Sequence, residues 1–344
     1  MRKNLVALLL ASAFLYSCAD EEPVKALGSY DNGILVLNEG GFGTVTYISD
    51  DLQTVEQDIY TAVNGASAEM GQYTQNIFFS GDRAFIISGG SNKITVVNRY
   101  TFEHLHTIET GLSNPRYGVA FNGKAYVTNS ADFMTTADDY VAVIDLEMLE
   151  VEDPIAINDA AERIIEDDGK LYVTNGSFGS GSNITVINPS TKQVETTVAV
   201  GTAPNSLEEE DGILYVLCSS FSEPSRLVKV NPVTNTVIST IEMPASMSDA
   251  KNLDIEDGHV YFSVGAKVYK VPLNATAITD TPLFDTGSAS AYIGYGFAVK
   301  DNRVYISEAR EDFVSDGKVF IYSTSGAFID EIPAGLGPNG FYFN

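Results

Sequence analysis

Lys170-Leu171-Tyr172-Val173-Thr174-Asn175, then a Gly/Ser-rich loop, then Asn183-Ile184-Thr185-Val186-Ile187-Asn188-Pro189, is the stretch that decides how this chain folds. Val, Ile, Thr and Tyr alternate with other residues at the period of a strand, and Asn-Pro and Gly-containing turns keep each strand short. The segment continues through Ser190-Thr191-Lys192, a strand from Gln193 to Val200, and Gly201-Thr202-Ala203-Pro204-Asn205. Working outward, the same aromatic string recurs as Leu35-Val36, Phe85-Ile86, Tyr126-Val127, Tyr172-Val173, Tyr215-Val216, Tyr261-Phe262 and Tyr305-Ile306. The first residues of these pairs lie 50, 41, 46, 43, 46 and 44 positions apart. That spacing suits four antiparallel strands per blade of a β-propeller. Seven copies predict an all-β, seven-bladed ring. Amphipathic helical windows are scarce.

With the strands of a blade lettered A to D, the aromatic string is strand B. Asn122-Gly123, Asp168-Gly169, Asp211-Gly212 and Asp257-Gly258 then join A to B, and such pairs favour tight type I′ hairpins. Asn188-Pro189-Ser190-Thr191 and Asn231-Pro232-Val233-Thr234 make compact C-to-D turns. Both short turns fall at one end of the ring, so the longer B-to-C and D-to-A loops share the other. The last strand A, Phe341 to Phe343, has no later B, whereas the first strand B, Ile34 to Leu37, has no earlier A. Pairing these two segments would close the ring and remove exposed sheet edges.

The N-terminus reads as an export signal. Arg2 and Lys3 precede an apolar run from Leu5 to Leu15 that is too short to span a bilayer, and a small residue then stands before Cys18. The chain divides into a signal peptide at 1–17, an acylated tether at 18–30 and the propeller at 31–344. Cleavage removes Arg2 and Lys3 and no acid, so the formal charge goes from −26 to −28. So acidic a chain repels phosphate backbones and anionic head groups, which excludes nucleic acid as a partner and leaves the lipid anchor as the contact with membrane. Once Cys18 is acylated, Cys218 has no partner and reads as a small packed residue at the end of a strand.

Tyr126-Val127-Thr128-Asn129 and Tyr172-Val173-Thr174-Asn175 match the tetrapeptide that names the YVTN propeller repeat, and the flanking turns follow the same pattern across residues 33 to 344. Leu35-Val36-Leu37-Asn38-Glu39-Gly40-Gly41-Phe42-Gly43 resembles the opening of BtuG-type lipoproteins, the surface cobalamin-capturing partners of TonB-dependent transporters. Leu15-Tyr16-Ser17-Cys18 resembles a lipobox, and Asp20, Glu21 and Glu22 resemble the acidic signal that sends some lipoproteins to the outer face of the outer membrane. The resemblance implies a lipid-anchored, surface-exposed protein that captures a corrinoid (vitamin B12) and delivers it to such a transporter. The absence of Trp separates the chain from propellers built on WD or tryptophan motifs.

Catalytic constellations are thin, and no catalytic residue, metal site or cofactor is expected. His104 and His106 flank Leu105 on an outer strand, and His259 follows the Asp257-Gly258 turn. The acid runs Glu166-Asp167-Asp168, Glu208-Glu209-Glu210-Asp211 and Glu256-Asp257 sit on or beside A-to-B turns, which predicts a solvated acidic end. The long-loop end instead gathers aromatics, amides and scarce arginines around the ring's mouth. The residues expected to bind ligand are Tyr73, Arg116, Tyr117, Phe133, Phe178, Phe221, Tyr292 and Tyr295, with Asn175 and Arg310 as polar partners. A metal-dependent hydrolase or lyase and a protein-interaction scaffold are the competing readings.

Overall fold

The structure is a computed structural model that describes residues 26–177, 179–220 and 223–344. It contains seven antiparallel sheets arranged as the blades of a β-propeller. The innermost strands, A, are Pro338–Phe343, Thr74–Ser80, Pro115–Phe121, Ile164–Asp167, Pro204–Glu210, Lys251–Glu256 and Ile293–Lys300, for blades 1 to 7 in order. Together they wall a central channel. The aromatic strings are strand B throughout, as in Lys170–Thr174 of blade 4.

Closure follows the predicted pairing. Ile34, Leu35, Val36 and Leu37 pair with Phe343, Tyr342, Phe341 and Gly340, so the chain's last strand is strand A of its first blade. Asn344 then latches the seam. Its Nδ2 donates to Tyr30 O and Arg99 O at 2.8 Å, its Oδ1 accepts Arg99 Nε at 2.9 Å, and its backbone N–H donates to Gly33 O at 3.0 Å. Residue 30, expected at the end of the tether, packs as part of the propeller. Tyr30 is buried, packs edge-on against Tyr47 and Phe102, and donates its N–H to Tyr100 O, because its ring fills the gap between blades 1 and 2.

Turn chemistry explains the short end. At Asn122-Gly123, Asp168-Gly169, Asp211-Gly212 and Asp257-Gly258 both residues have φ between 45° and 78°, the left-handed pair that a type I′ turn requires. At the C-to-D turns one side-chain oxygen replaces strand hydrogen bonds. Asn188 Oδ1 accepts from Ser190 N and Thr191 N, Asn231 Oδ1 from Val233 N and Thr234 N, and Asn98 and Asp145 repeat the device.

The core lies between blades. Tyr172, Ile184 and Val186 of blade 4, for example, pack against Leu207, Leu214 and Val216 of blade 5. Burying side chains of this size contributes about 1.5–3 kcal/mol each relative to exposure. Cys218 belongs to this layer, and burial pushes its thiol up to about 12. Irregularity collects on the outer strands: blade 3 splits its strand D into Glu150–Val151 and Ile155–Ala156, and blade 1 is followed by the short helix Ile59–Asn64. Among the described residues, no helix is long and apolar enough to cross a membrane.

Candidate functional site

The repeated tetrapeptide builds the mouth without entering it. Strand A bulges where it reaches the long-loop end, as between Pro115 and Gly118, and the ladder loses a bond there. The motif's Thr supplies the acceptor: Thr128 Oγ1 takes the N–H of Tyr117, and Thr174 Oγ1 takes the N–H of Arg163, each at 3.0 Å. These bonds set where Tyr117 and Arg163 leave the strand. The motif's Asn ties the loops behind them. Asn175 Nδ2 donates to Ala160 O at 2.7 Å while its Oδ1 accepts Thr185 Oγ1 at 2.8 Å; Asn129 Oδ1 accepts Ser113 N, and Asn38 Oδ1 accepts Gly335 N.

The mouth is a cavity of about 470 Å³ whose walls include Tyr73, Arg116, Tyr117, Phe133, Arg163 and Tyr295. Glu39, Gln75, Asn114 and Asn339 complete the polar part of its lining. Smaller clefts open from it on both sides. One, of about 240 Å³, runs past Glu39 and Tyr73 to Phe313. The other, of about 180 Å³, runs past Arg116 and Arg163 to Asn205. Below, Gln75, Tyr117, Arg163 and Asn339 also line the central channel, which holds about 460 Å³.

Its polar groups are cross-braced. Arg116 Nε pairs with Glu162 at 3.2 Å and its Nη1 donates to Gln75 Oε1 at 2.7 Å, while Gln75 Nε2 donates to the Tyr117 hydroxyl at 2.9 Å. The Tyr295 hydroxyl donates to the Glu39 carboxylate. Burial, and then that bond, holds Tyr295 protonated far above the ordinary phenol range. Aromatic faces are braced too: Tyr292 meets Phe313 edge-on at 4.7 Å and Tyr295 at 6.5 Å. Tyr73 and Phe313 have φ of 51° and 45°, a left-handed backbone that costs a bulky residue free energy and concentrates at ligand-binding positions. Gly90 permits this at Tyr73, since any Cβ there would lie 2.4 Å from the tyrosine ring.

Deeper down, Glu208 and Asp254 face the channel from neighbouring blades, and Glu256 lines it further along the same strand as Asp254. Burial first, then the charge of Asp254, pushes Glu208 up to about 8, with Arg163 acting in the opposite sense. Asp254 is pushed up to about 6 by burial, against the pull of backbone N–H donors from Val299 and Ile255. The expectation that the Glu208 run forms a solvated turn is therefore corrected at its first member. Alternation along Pro204–Glu210 sends Glu208 inward. Among the described residues, no group of three or more His, Cys, Asp and Glu is placed to hold a metal ion.

Of the residues expected to bind ligand, Tyr73, Arg116, Tyr117, Phe133 and Tyr295 meet in the mouth, and Tyr292 adjoins them through Tyr295 and Phe313. Two expectations are corrected. Asn175 is fully buried and both ends of its amide are taken, so it braces the loop and cannot reach a ligand. Arg310 lines a separate cleft with Ser288 and Lys318, pairs with Glu308 at 3.6 Å and donates to Asp316 O, while Phe313 of the same loop is the residue that reaches the mouth's side cleft. Phe178, Phe221 and Cys18 lie outside the described residues. Glu39, Gln75, Arg163 and Asn339 also line the mouth and were not among the expected contacts, although strand order puts their loops at this end. Glu162 carries no signal beyond its position one residue before Arg163.

A family model described as a domain of unknown function, DUF5074, matches residues 32–343. The chain belongs to this family. Its match spans the whole ring, from the first strand B to the strand that closes it. No curated protein matches the sequence. Among solved structures, a functionally unknown protein from Desulfotomaculum acetoxidans DSM 771 has a TM-score of 0.66 at 10% identity, covering 91% of this chain and 99% of that one. BamB from Moraxella catarrhalis has a TM-score of 0.52 at 16% identity over 88% and 83%. Apo AztD from Citrobacter koseri has a TM-score of 0.53 at 12% identity over 90% and 96%. At such identities the likeness extends to the propeller fold.

Proposed function

We propose that this DUF5074 propeller is a cell-surface lipoprotein that captures a medium-sized extracellular ligand at its long-loop mouth and passes it on without chemical change. The observation that carries this reading is the merging of four cavities around one cross-braced set of aromatic faces and polar side chains. Preorganised aromatic anchors supply apolar area at little cost in rotamer entropy, and fixed amides and arginines supply orientation.

A corrinoid is the first ligand to test. It is a broad, partly apolar disc rimmed by amides, which suits tyrosine faces flanked by Gln75, Asn114, Arg116 and Asn339. The stretch that resembles BtuG-type lipoproteins supports the same choice, since Glu39, Gly40 and Gly41 line the mouth and its aromatic cleft. Acylation at Cys18 would hold the propeller on the outer membrane beside a TonB-dependent transporter that receives the ligand. Titrating cyanocobalamin into the purified protein by calorimetry tests the reading. Saturable one-to-one binding, lost on Tyr73→Ala or Tyr117→Ala, is the expected result. Absence of binding by the wild type eliminates the corrinoid, and binding indifferent to both substitutions moves the site away from the mouth.

A further inference from the structure

Arginine is scarce in this acidic chain, and nearly every copy that the structure describes is already engaged. Arg83 donates to Leu146 O, Arg99 to Asn344 and Phe343, and Arg303 to Asp50 O. Arg116 pairs with Glu162, Arg226 with Glu223, and Arg310 with Glu308. Arg163 differs. Among the described residues its guanidinium has no hydrogen-bond acceptor and no carboxylate within ion-pair distance. What holds it is the ring of Tyr117, with Cζ 4.4 Å from the centroid.

Its position is as unusual as its lack of a partner. Arg163 is exposed, and it lines the mouth, the side cleft toward Asn205 and the central channel at once, so it stands where the three cavities join. Stacking on Tyr117 occupies one flat face of the guanidinium. Its in-plane N–H groups have no acceptor among the described residues, and a guanidinium edge can donate in parallel to two oxygens of a phosphate or carboxylate. Arg116 has no such freedom, because it is already spent on Glu162 and Gln75.

We propose that Arg163 is the anion-binding residue of the mouth, and that its guanidinium edge takes one phosphodiester or carboxylate group of an otherwise neutral, ring-bearing ligand. A single negative charge is specified by the surroundings. The chain's formal charge of −26 opposes approach of a polyanion, and Arg116 is already neutralised by Glu162. This inference rests on the mouth being the ligand site. A corrinoid that carries its nucleotide loop has one such phosphodiester, and cobinamide, which lacks the loop, has none.

The test compares cyanocobalamin with cobinamide by calorimetry on wild type, Arg163→Gln and Arg163→Lys. Loss of a charge-assisted pair predicts that Arg163→Gln weakens cyanocobalamin by about tenfold to a hundredfold and leaves cobinamide within about twofold. Arg163→Lys is expected to fall between wild type and Gln. Equal weakening of both ligands, or of neither, overturns the assignment. A second measurement is independent of the corrinoid: dimethyl phosphate is titrated while the arginine Nε–H resonances are followed by NMR, with Arg163 identified by its absence from the Gln variant. A saturable shift confined to Arg163 supports the site, and a shift no larger than that of Arg303 overturns it. If wild type takes up neither corrinoid, the corrinoid reading falls while the dimethyl phosphate titration still decides Arg163.

Discussion

Replacing Asn344 by Ala should open the ring at its seam. The side chain makes three hydrogen bonds there, two to the carbonyls of Tyr30 and Arg99 at 2.8 Å and one from Arg99 Nε at 2.9 Å. Each neutral bond contributes about 1 kcal/mol net and the charged one about 1.5–3 kcal/mol. Water reaches this half-buried latch and offsets part of the loss, so the expected cost is about 2–4 kcal/mol. In a domain of this size that lowers Tm by roughly 3–6 °C. Backbone pairing of the last strand and the Arg99 guanidinium over the Phe79 ring at 3.8 Å are untouched, which keeps the variant folded for measurement. The assay is calorimetric and urea unfolding beside Asn188→Ala, which removes turn bonds to Ser190 N and Thr191 N on an exposed surface and should cost about 1 kcal/mol. A Tm for Asn344→Ala within about 2 °C of wild type, or an equal loss for Asn188→Ala, would refute the seam as a point of stored stability.

Three further outcomes are expected. Glu208 titrates at about 8 in the fold against an ordinary 4.5, so the folded state holds the extra proton between those values and stability falls as pH rises through them. Urea unfolding from pH 5 to 9 should show that fall in wild type and a flatter profile in Glu208→Gln; an unchanged slope places the proton elsewhere. Asn175→Ala should cost about 2 kcal/mol of stability by orphaning Ala160 O and Thr185 Oγ1 yet leave ligand affinity alone. Tyr117→Ala should do the reverse, weakening binding by about 2 kcal/mol as a central aromatic anchor does, and similar effects of both on affinity would count against these roles. Cys18→Ala should shift the protein from the membrane fraction to the soluble one, and retention of the variant on membranes would refute the anchor.

Much of the architecture was legible before any coordinates. The aromatic strand B recurs because every blade solves the same local problem, and Asn-Gly or Asp-Gly marks four of the tight A-to-B turns because such pairs readily accept positive φ at both positions. The missing strand A at one end and the spare one at the other made the closure readable. The candidate site was legible only in part. Strand order put Tyr73, Arg116, Tyr117, Phe133 and Tyr295 at one end, and they do share a cavity. It could not show that Asn175 turns back to Ala160 or that Arg310 turns to Glu308 and Asp316 O while Phe313 of the same loop reaches the mouth, since loop insertions follow no period.

Sequence alone determined what depends on neighbours along the chain: strand alternation, turn chemistry, the blade count and the acidic character of the whole. Tertiary structure decided what depends on closure. Glu208 sits in an acid run that reads as solvated turn, and it becomes a channel wall only when the inner strands of all blades face one another. Arg163 reads as one more loop arginine, and its free edge becomes distinctive only once Tyr117 from the preceding blade lies beneath it and Glu162 has turned to Arg116. Both results come from the ring itself, because a closed ring brings together side chains whose separation in sequence carries no trace of their separation in space.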